Sequence, residues 1–173
     1  MVPDGAALAD KGHDRRVANL AMGIGRALGL AAEKQEVLAR AGLLHDVGKL
    51  GIPPEILYKR GPLTEAEWRV MRTHPELGLA ILGATGRFTR EMLGVLYHHE
   101  RMDGAGYPHG LAGEEIPIEA RIVAVADTFD VLSTDRPYRP AFSPAEAMVR
   151  VQGEAGGHLD PVVVDALIRT LAA

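Results

Sequence analysis

The chain contains no cysteine. Disulfides, thiolate metal sites and cysteine nucleophiles are therefore all excluded. Aromatic residues are scarce: 3 Phe, 1 Trp and 4 Tyr in 173 residues are too few for a stacking platform along a nucleic-acid strand. The core must be built from Leu, Val, Ile, Ala and Met. Excess positive charge is also missing, with a formal net charge of −4 and a pI near 6.0. Such a surface has no general affinity for DNA or RNA backbone. An anionic substrate must be held by a local cluster of charge or by metal. No stretch reaches the roughly 20 apolar residues that span a bilayer. Lys11, Arg15 and Arg16, ahead of the apolar run from Val17 to Gly25, imitate a secretory signal. Arg26 closes that run and no convincing cleavage site follows, so the segment reads as a helix and the protein as cytoplasmic.

What is present suits one globular domain, with 47% hydrophobic and 24% charged residues. Val17, Leu20, Ala21, Ile24 and Leu28 recur at helical spacing, with Gly29 as a stop. Val37, Leu38, Ala41, Leu44 and His45 mark a second helix ending near Gly48. Thr64 to Glu67 reads as a capping box, and Pro75 puts His74 at a junction between helices. Met92 to Glu100 reads as a further helix, residues 101–117 as a Gly/Pro-rich loop, and Ile118 to Ser133 as a long apolar helix. Ser143-Pro144 and Asp160-Pro161 are helix starts with proline at the first helical position. Period-2 alternation is almost absent. The expected fold is all-α, a compact bundle of about seven or eight helices.

The sequence holds 7 His, and their neighbours carry the argument. The candidates are His13, His45-Asp46, His74, His98-His99 and Asp127, a set of imidazoles and carboxylates that suits Fe, Mn, Zn or Ni. Adjacent pairs such as His45-Asp46 point about 100° apart on a helix and can serve one metal from two sides or straddle two. Each has a plainer alternative. His13 could be a surface residue, His74 a helix cap and His98-His99 a solvated helix end. Asp127 is harder to explain that way, because it lies within Ile122 to Ala126, where a lone carboxylate needs a cation or strong donors. His109 and His158 lie in Gly-rich loops and carry no chemical assignment.

Together these residues resemble a family. His13, His45-Asp46 and Asp127 are similar to the H…HD…D signature of the HD superfamily of metal-dependent phosphohydrolases. The stretch from His98-His99-Glu100 through Asp103-Gly104 to Gly106-Tyr107-Pro108 resembles the HHE-x-x-DG-x-GYP motif of the HD-GYP subfamily. His45 to Lys49, Lys59 to Thr64, Arg121 to Asp130, Arg136-Pro137-Tyr138-Arg139 and Gly157 to Pro161 agree as well, with Leu159 where Phe is usual. The likeness runs from His13 to the C-terminus, with residues 1–12 as a lead-in and 13–173 as the HD-GYP domain.

This resemblance implies hydrolysis of cyclic di-GMP, a bacterial second messenger, to pGpG or onward to GMP. It implies two divalent transition-metal ions, iron or manganese, about 3.5–4 Å apart and able to supply a bridging hydroxide. Asp46 would bridge them. His13, His45 and Asp127 would complete one site, and His74, His98 and His99 the other. Lys49 would stabilise charge on the phosphate. Tyr107, Asp130, Arg136 and Arg139 are candidate substrate contacts, and Asp130 could instead orient a ligand. The Gly-rich loop would flank the active site and dock a diguanylate cyclase domain, or only brace the second metal site through Glu100 and Asp103. Nothing in the sequence excludes a homodimer.

Two departures stand out. Many relatives carry a Glu four residues before the first His that recruits a third metal; here that place is Ala9, with Asp10 nearby, so a third metal is not expected. Relatives also attach this domain to a receiver or sensory domain, whereas only 12 residues precede His13, as in a stand-alone enzyme or an excised domain. The alternatives are another HD-superfamily nucleotide phosphohydrolase and a silent cyclic-dinucleotide receptor or docking module.

Overall fold

The computed structural model describes residues 12–135 and 140–172. The lead-in with Ala9 and Asp10, and the segment with Arg136 and Arg139, fall outside these residues. The regular structure is helical throughout, apart from an isolated bridge between Ala155 and Leu159. The elements are α1 (His13–Ala27), α2 (Ala32–Leu44), a 3₁₀ turn (Val47–Gly51), α3 (Pro54–Leu57), α4 (Glu65–Met71), α5 (His74–Thr85), α6 (Met92–Tyr97), a second 3₁₀ turn (Gly113–Glu115), α7 (Ile118–Ser133), α8 (Pro144–Gly153) and α9 (Pro161–Leu171). Among the described residues α3 is a single turn beside eight longer helices, in line with the expected bundle.

α7 is the axis of the bundle. Its Ile122, Val123, Val125 and Ala126 are fully buried, against Val17, Ala21 and Ile24 of α1, Leu38 and Ala41 of α2, and Val163 and Leu167 of α9. α8 closes the same core with Ala147 and Val151. Each buried aliphatic side chain contributes about 1.5–3 kcal/mol of transfer free energy, which is why an apolar helix with few charges settles in the centre. A smaller cluster, Ile52, Leu57, Leu63 and Met71, lies under α3 and α4. The Thr64 capping box forms at the anticipated place, and the helix start at Ser143 proves to be a second one. Thr64 N–H donates to Glu67 at 2.7 Å and Ser143 N–H to Glu146 at 2.9 Å. Asp160 caps α9 by accepting from Val162 N–H at 2.8 Å and also pairs with Arg121 at 2.7 Å.

Two helices are shorter than the sequence pattern suggests. α6 ends at Tyr97 rather than Glu100, and α2 at Leu44, followed by a 3₁₀ turn rather than a continuing helix. The cause is the histidine that follows each. The His98 ring N–H takes the Val95 carbonyl and the His45 ring N–H takes the Gly42 carbonyl, both at 2.7 Å. Those carbonyls are the ones another turn of helix would use.

The 3₁₀ turn is pressed against the start of α5. A Cβ on Gly48 would overlap the His74 carbonyl oxygen and lie 2.5 Å from Gly78 N. This contact sets Asp46 beside His74. Gly48→Ala should therefore destabilise the fold by about 2–3 kcal/mol through overpacking against rigid backbone. Urea unfolding checks this, and a loss within about 0.5 kcal/mol, the scatter of ordinary surface changes, would overturn the close-approach account.

Candidate metal centre

Six segments bring the candidate residues together. His13 opens α1, His45 caps the end of α2, Asp46 starts the 3₁₀ turn, His74 opens α5, His98 and His99 follow α6, and Asp127 projects from the middle of α7. His13, His45, His74 and His98 are all buried.

Three of the imidazoles are oriented by the same device. His45, His74 and His98 donate ring N–H from Nδ1 to the carbonyls of Gly42, Met71 and Val95 at 2.7, 2.9 and 2.7 Å. A carbonyl can only accept, so Nδ1 carries a proton and Nε2 faces the site. His13 Nδ1 instead donates to Asp130 at 2.7 Å, with Arg16 gripping both oxygens of Asp130 at 2.6 and 3.0 Å. His13 Nε2 then faces Asp127 at 3.2 Å.

Asp46 stands between two groups. Its Oδ2 is 3.4 Å from His45 Nε2 and accepts from Lys49 Nζ at 2.7 Å. Its Oδ1 is 3.4 Å from His74 Nε2 and 4.0 Å from His98 Nε2. Asp127 Oδ1 is 3.9 Å from His45 Nε2 as well as close to His13. Donor atoms of Asp46, His74, His98 and His99 all lie within 4.8 Å of one another, and so do those of His13, Asp14 and His45. Asp14 has no place in the sequence motif; only its adjacency to His13 could have suggested it.

Electrostatics separate the two groups. Burial pushes His98 down to about 3 and His74 down to about 4, and holds His99 well below the ordinary imidazole range. These rings are neutral, the form a metal requires. Burial would raise the Asp46 carboxyl, but Lys49 and then His45, His74 and His98 outweigh it and hold it well below the usual carboxylate range. Burial would lower His13, yet hydrogen bonds to Asp127 and Asp130 lift it to about 10.

The donor set fits divalent metal. Asp46 Oδ1 and His99 Nε2 are buried with no hydrogen-bond partner among the described residues. His74 Nε2 and His98 Nε2 approach to 3.4 Å. Both rings keep their proton on Nδ1, so two lone pairs point at each other in a site that burial keeps from protonating. A cation between them and Asp46 Oδ1 removes that conflict.

The remaining candidates fall at different depths. Lys49 is buried and paired with Asp46. Asp130 is buried behind His13 with both oxygens taken, so of the two roles weighed for it the geometry offers ligand orientation and not substrate contact. Tyr107 stacks on His99, with ring centroids 4.7 Å apart and planes 23° apart. Glu100 is buried and accepts from the backbone N–H groups of His109, Gly110 and Leu111 at 2.7–3.1 Å, which fixes the loop.

Fold and site define an all-helical protein built around a shared histidine–carboxylate centre. More narrowly, the chain belongs to the HD domain family, whose model matches residues 7–163, and its loop motif resembles that of the HD-GYP branch. It is 46% identical over 156 residues to "Cyclic di-GMP phosphodiesterase response regulator RpfG" of Xanthomonas campestris pv. campestris, covering 89% of this chain and 41% of that protein. It is 40% identical over 160 residues to "3'3'-cGAMP-specific phosphodiesterase 3" of Vibrio cholerae, covering 92% of this chain and 35% of that protein. It thus spans about two fifths or less of the length of these curated relatives. The fold is similar to that of an HDG"Y"P protein from Bdellovibrio bacteriovorus, with a TM-score of 0.74 at 22% identity over 93% of this chain and 52% of that one. Among the described residues no helix is long and apolar enough to cross a membrane.

Two predictions follow from the geometry. Asp46→Ala should lose metal from both groups, because one carboxylate faces each. Asp130→Asn should keep the fold but weaken metal affinity about 10- to 100-fold, the usual cost of removing a carboxylate that orients a ligating His. Elemental analysis and metal titration with a competing chelator check both. Full metal content in Asp46→Ala would show that the groups load independently of it.

Proposed function

We propose that this domain is a metal-dependent phosphodiesterase that cleaves cyclic di-GMP to pGpG. One observation supports the reading above others: the half-buried Asp46 carboxylate faces a histidine group with each oxygen. In this reading two ions, iron or manganese, are held by His13, His45, Asp127 and Asp46 on one side and by His74, His98, His99 and Asp46 on the other. When bound, they neutralise the phosphodiester and make water nucleophilic at neutral pH.

The chain's own residues do the rest. Water adds to phosphorus, the P–O3′ bond breaks, the proton ends on the 3′ oxygen and the phosphate stays on the 5′ side. Asp130 and Arg16 keep His13 in place. Lys49 balances charge on the reacting phosphate from its position against Asp46 Oδ2. Tyr107 borders the site beside His99 as a candidate substrate contact. The proposal keeps Arg136 and Arg139 as phosphate or guanine contacts, and the loop from Asp103 to Gly110 as a docking edge for a diguanylate cyclase domain. A second reading, cleavage of 3′3′-cGAMP, is favoured by the Vibrio relative at 40% identity. It needs the same metal centre and differs at the base contacts.

The test is product analysis with protein loaded with iron or manganese. Cyclic di-GMP should yield pGpG as the main product, faster than 3′3′-cGAMP yields its linear form. Lys49→Ala should lower turnover about 10²–10³-fold, the usual cost of one charge-stabilising donor. Metal-loaded protein that binds cyclic di-GMP without cutting it would make the domain a receptor and overturn the proposal.

A further inference from the structure

Arg72 caps the C-terminal end of α4, two residues before His74, and its side chain is exposed. Among the described residues, Lys49 is engaged with Asp46, Arg16 with Asp130 and Arg101 with Asp103, and Arg136 and Arg139 lie outside them. Arg72 makes no ion pair and no side-chain hydrogen bond among the described residues. Its guanidinium carbon instead lies 5.5 Å from the centre of the Tyr107 ring and 6.0 Å from that of Trp68. Tyr107 in turn stacks on His99 and stands edge-on to His74, with centroids 6.5 Å apart. Ring contacts thus lead from the metal centre through His99 and Tyr107 to an arginine that makes no ion pair or side-chain hydrogen bond among the described residues.

We propose that Arg72 binds the phosphodiester of the cyclic dinucleotide that is not being cut. The assignment rests on the phosphodiesterase reading. A cyclic dinucleotide carries two phosphodiesters on opposite sides of its ring. When one sits at Asp46, the other projects outward and needs a countercharge, in a chain whose net charge is −4. The guanidinium suits that role. A guanidinium presents a planar fork of donors that matches phosphate oxygens, and this one lies near two aromatic rings at the edge of the centre. Because this phosphate does not change during the reaction, the contact acts equally in ground and transition states and appears in KM rather than kcat.

The experiment compares the metal-loaded wild-type protein with Arg72→Ala and Arg72→Lys. The substrates are cyclic di-GMP, 3′3′-cGAMP and bis(p-nitrophenyl) phosphate, a diester with one phosphate and no bases. Arg72→Ala should raise KM for both cyclic dinucleotides about 10-fold, the scale of one charge-assisted hydrogen bond, with kcat and metal content retained. The preference for cyclic di-GMP over bis(p-nitrophenyl) phosphate, as a ratio of kcat/KM values, should fall by the same factor. Arg72→Lys should recover part of the loss, since it restores charge without the fork. A purely structural Arg72 would lower the melting temperature and leave KM unmoved, overturning the assignment. A loss for cyclic di-GMP larger than for 3′3′-cGAMP would assign Arg72 to the base and equally overturn it. No turnover of either dinucleotide by the wild-type protein, with bis(p-nitrophenyl) phosphate still cleaved, would remove the cyclic-dinucleotide reading of the proposed function and Arg72's role with it.

Discussion

The bond from an imidazole ring N–H to a carbonyl at the end of a helix ties this fold to its site. Helix C-termini leave carbonyls without partners. At α2, α4 and α6 one such carbonyl is taken by His45, His74 or His98. A single bond ends the helix, sets the ring's tautomer and points Nε2 inward. Each bond is worth only about 0.5–1.5 kcal/mol net, yet the position of three donor atoms depends on it. His13 is the informative exception. It sits at the start of α1, where the unpaired groups are N–H rather than C=O. No backbone carbonyl serves it, and Asp130 from α7 takes that role with Arg16 to hold it.

Charge is the cost of this arrangement. Asp130 is buried, and Asp46 and Asp127 half-buried, in a bundle made of Leu, Val, Ile and Ala, where an unpaired carboxylate is disfavoured. Lys49 serves Asp46, Arg16 serves Asp130, and His13 lies between Asp127 and Asp130. The pairing is incomplete on one side, where Asp46 Oδ1 and His99 Nε2 lack partners and the His74 and His98 lone pairs face each other. Rules that hold elsewhere in the chain fail here, as they do at functional sites.

The helical periodicity and the helix starts were legible in the sequence because they depend on neighbours a few residues apart. Val17 to Ile24 and Ile122 to Ala126 declare buried faces through spacing alone. Thr64, Ser143 and Asp160 declare helix starts through side-chain chemistry. The ends of α2 and α6 were not legible, since an imidazole binding back to a carbonyl leaves no mark in an apolar pattern. Asp130 could be placed on the face of Asp127, one turn on, but its partner Arg16 lies 114 residues away and only packing joins them. Arg72 and Asp14 carried no signal either: a lone arginine at a helix end and an acid in a first turn are ordinary features, and what distinguishes them is which ring or which His the fold sets beside them.

The Gly-rich loop shows how a segment without regular structure can hold an aromatic ring in register with a metal centre. A loop gains order only where its backbone polar groups find partners. Here Glu100 takes three N–H groups, and the N–H groups of Met102 and Asp103 donate to the carbonyls of His158 and Gly157. Gly106 lies so close to the preceding turn that a Cβ would come within 2.5 Å of Arg101 N and Glu100 Cα. The loop is therefore folded back on the residues that follow His98 and His99, and Tyr107 meets His99 from the outside. Its second anchor is the turn before α9, which packs on α7, the helix that carries Asp127. Candidate ligands on both sides of Asp46 are in this way braced by one core, and a disturbance of α7 reaches the loop as well as the carboxylate.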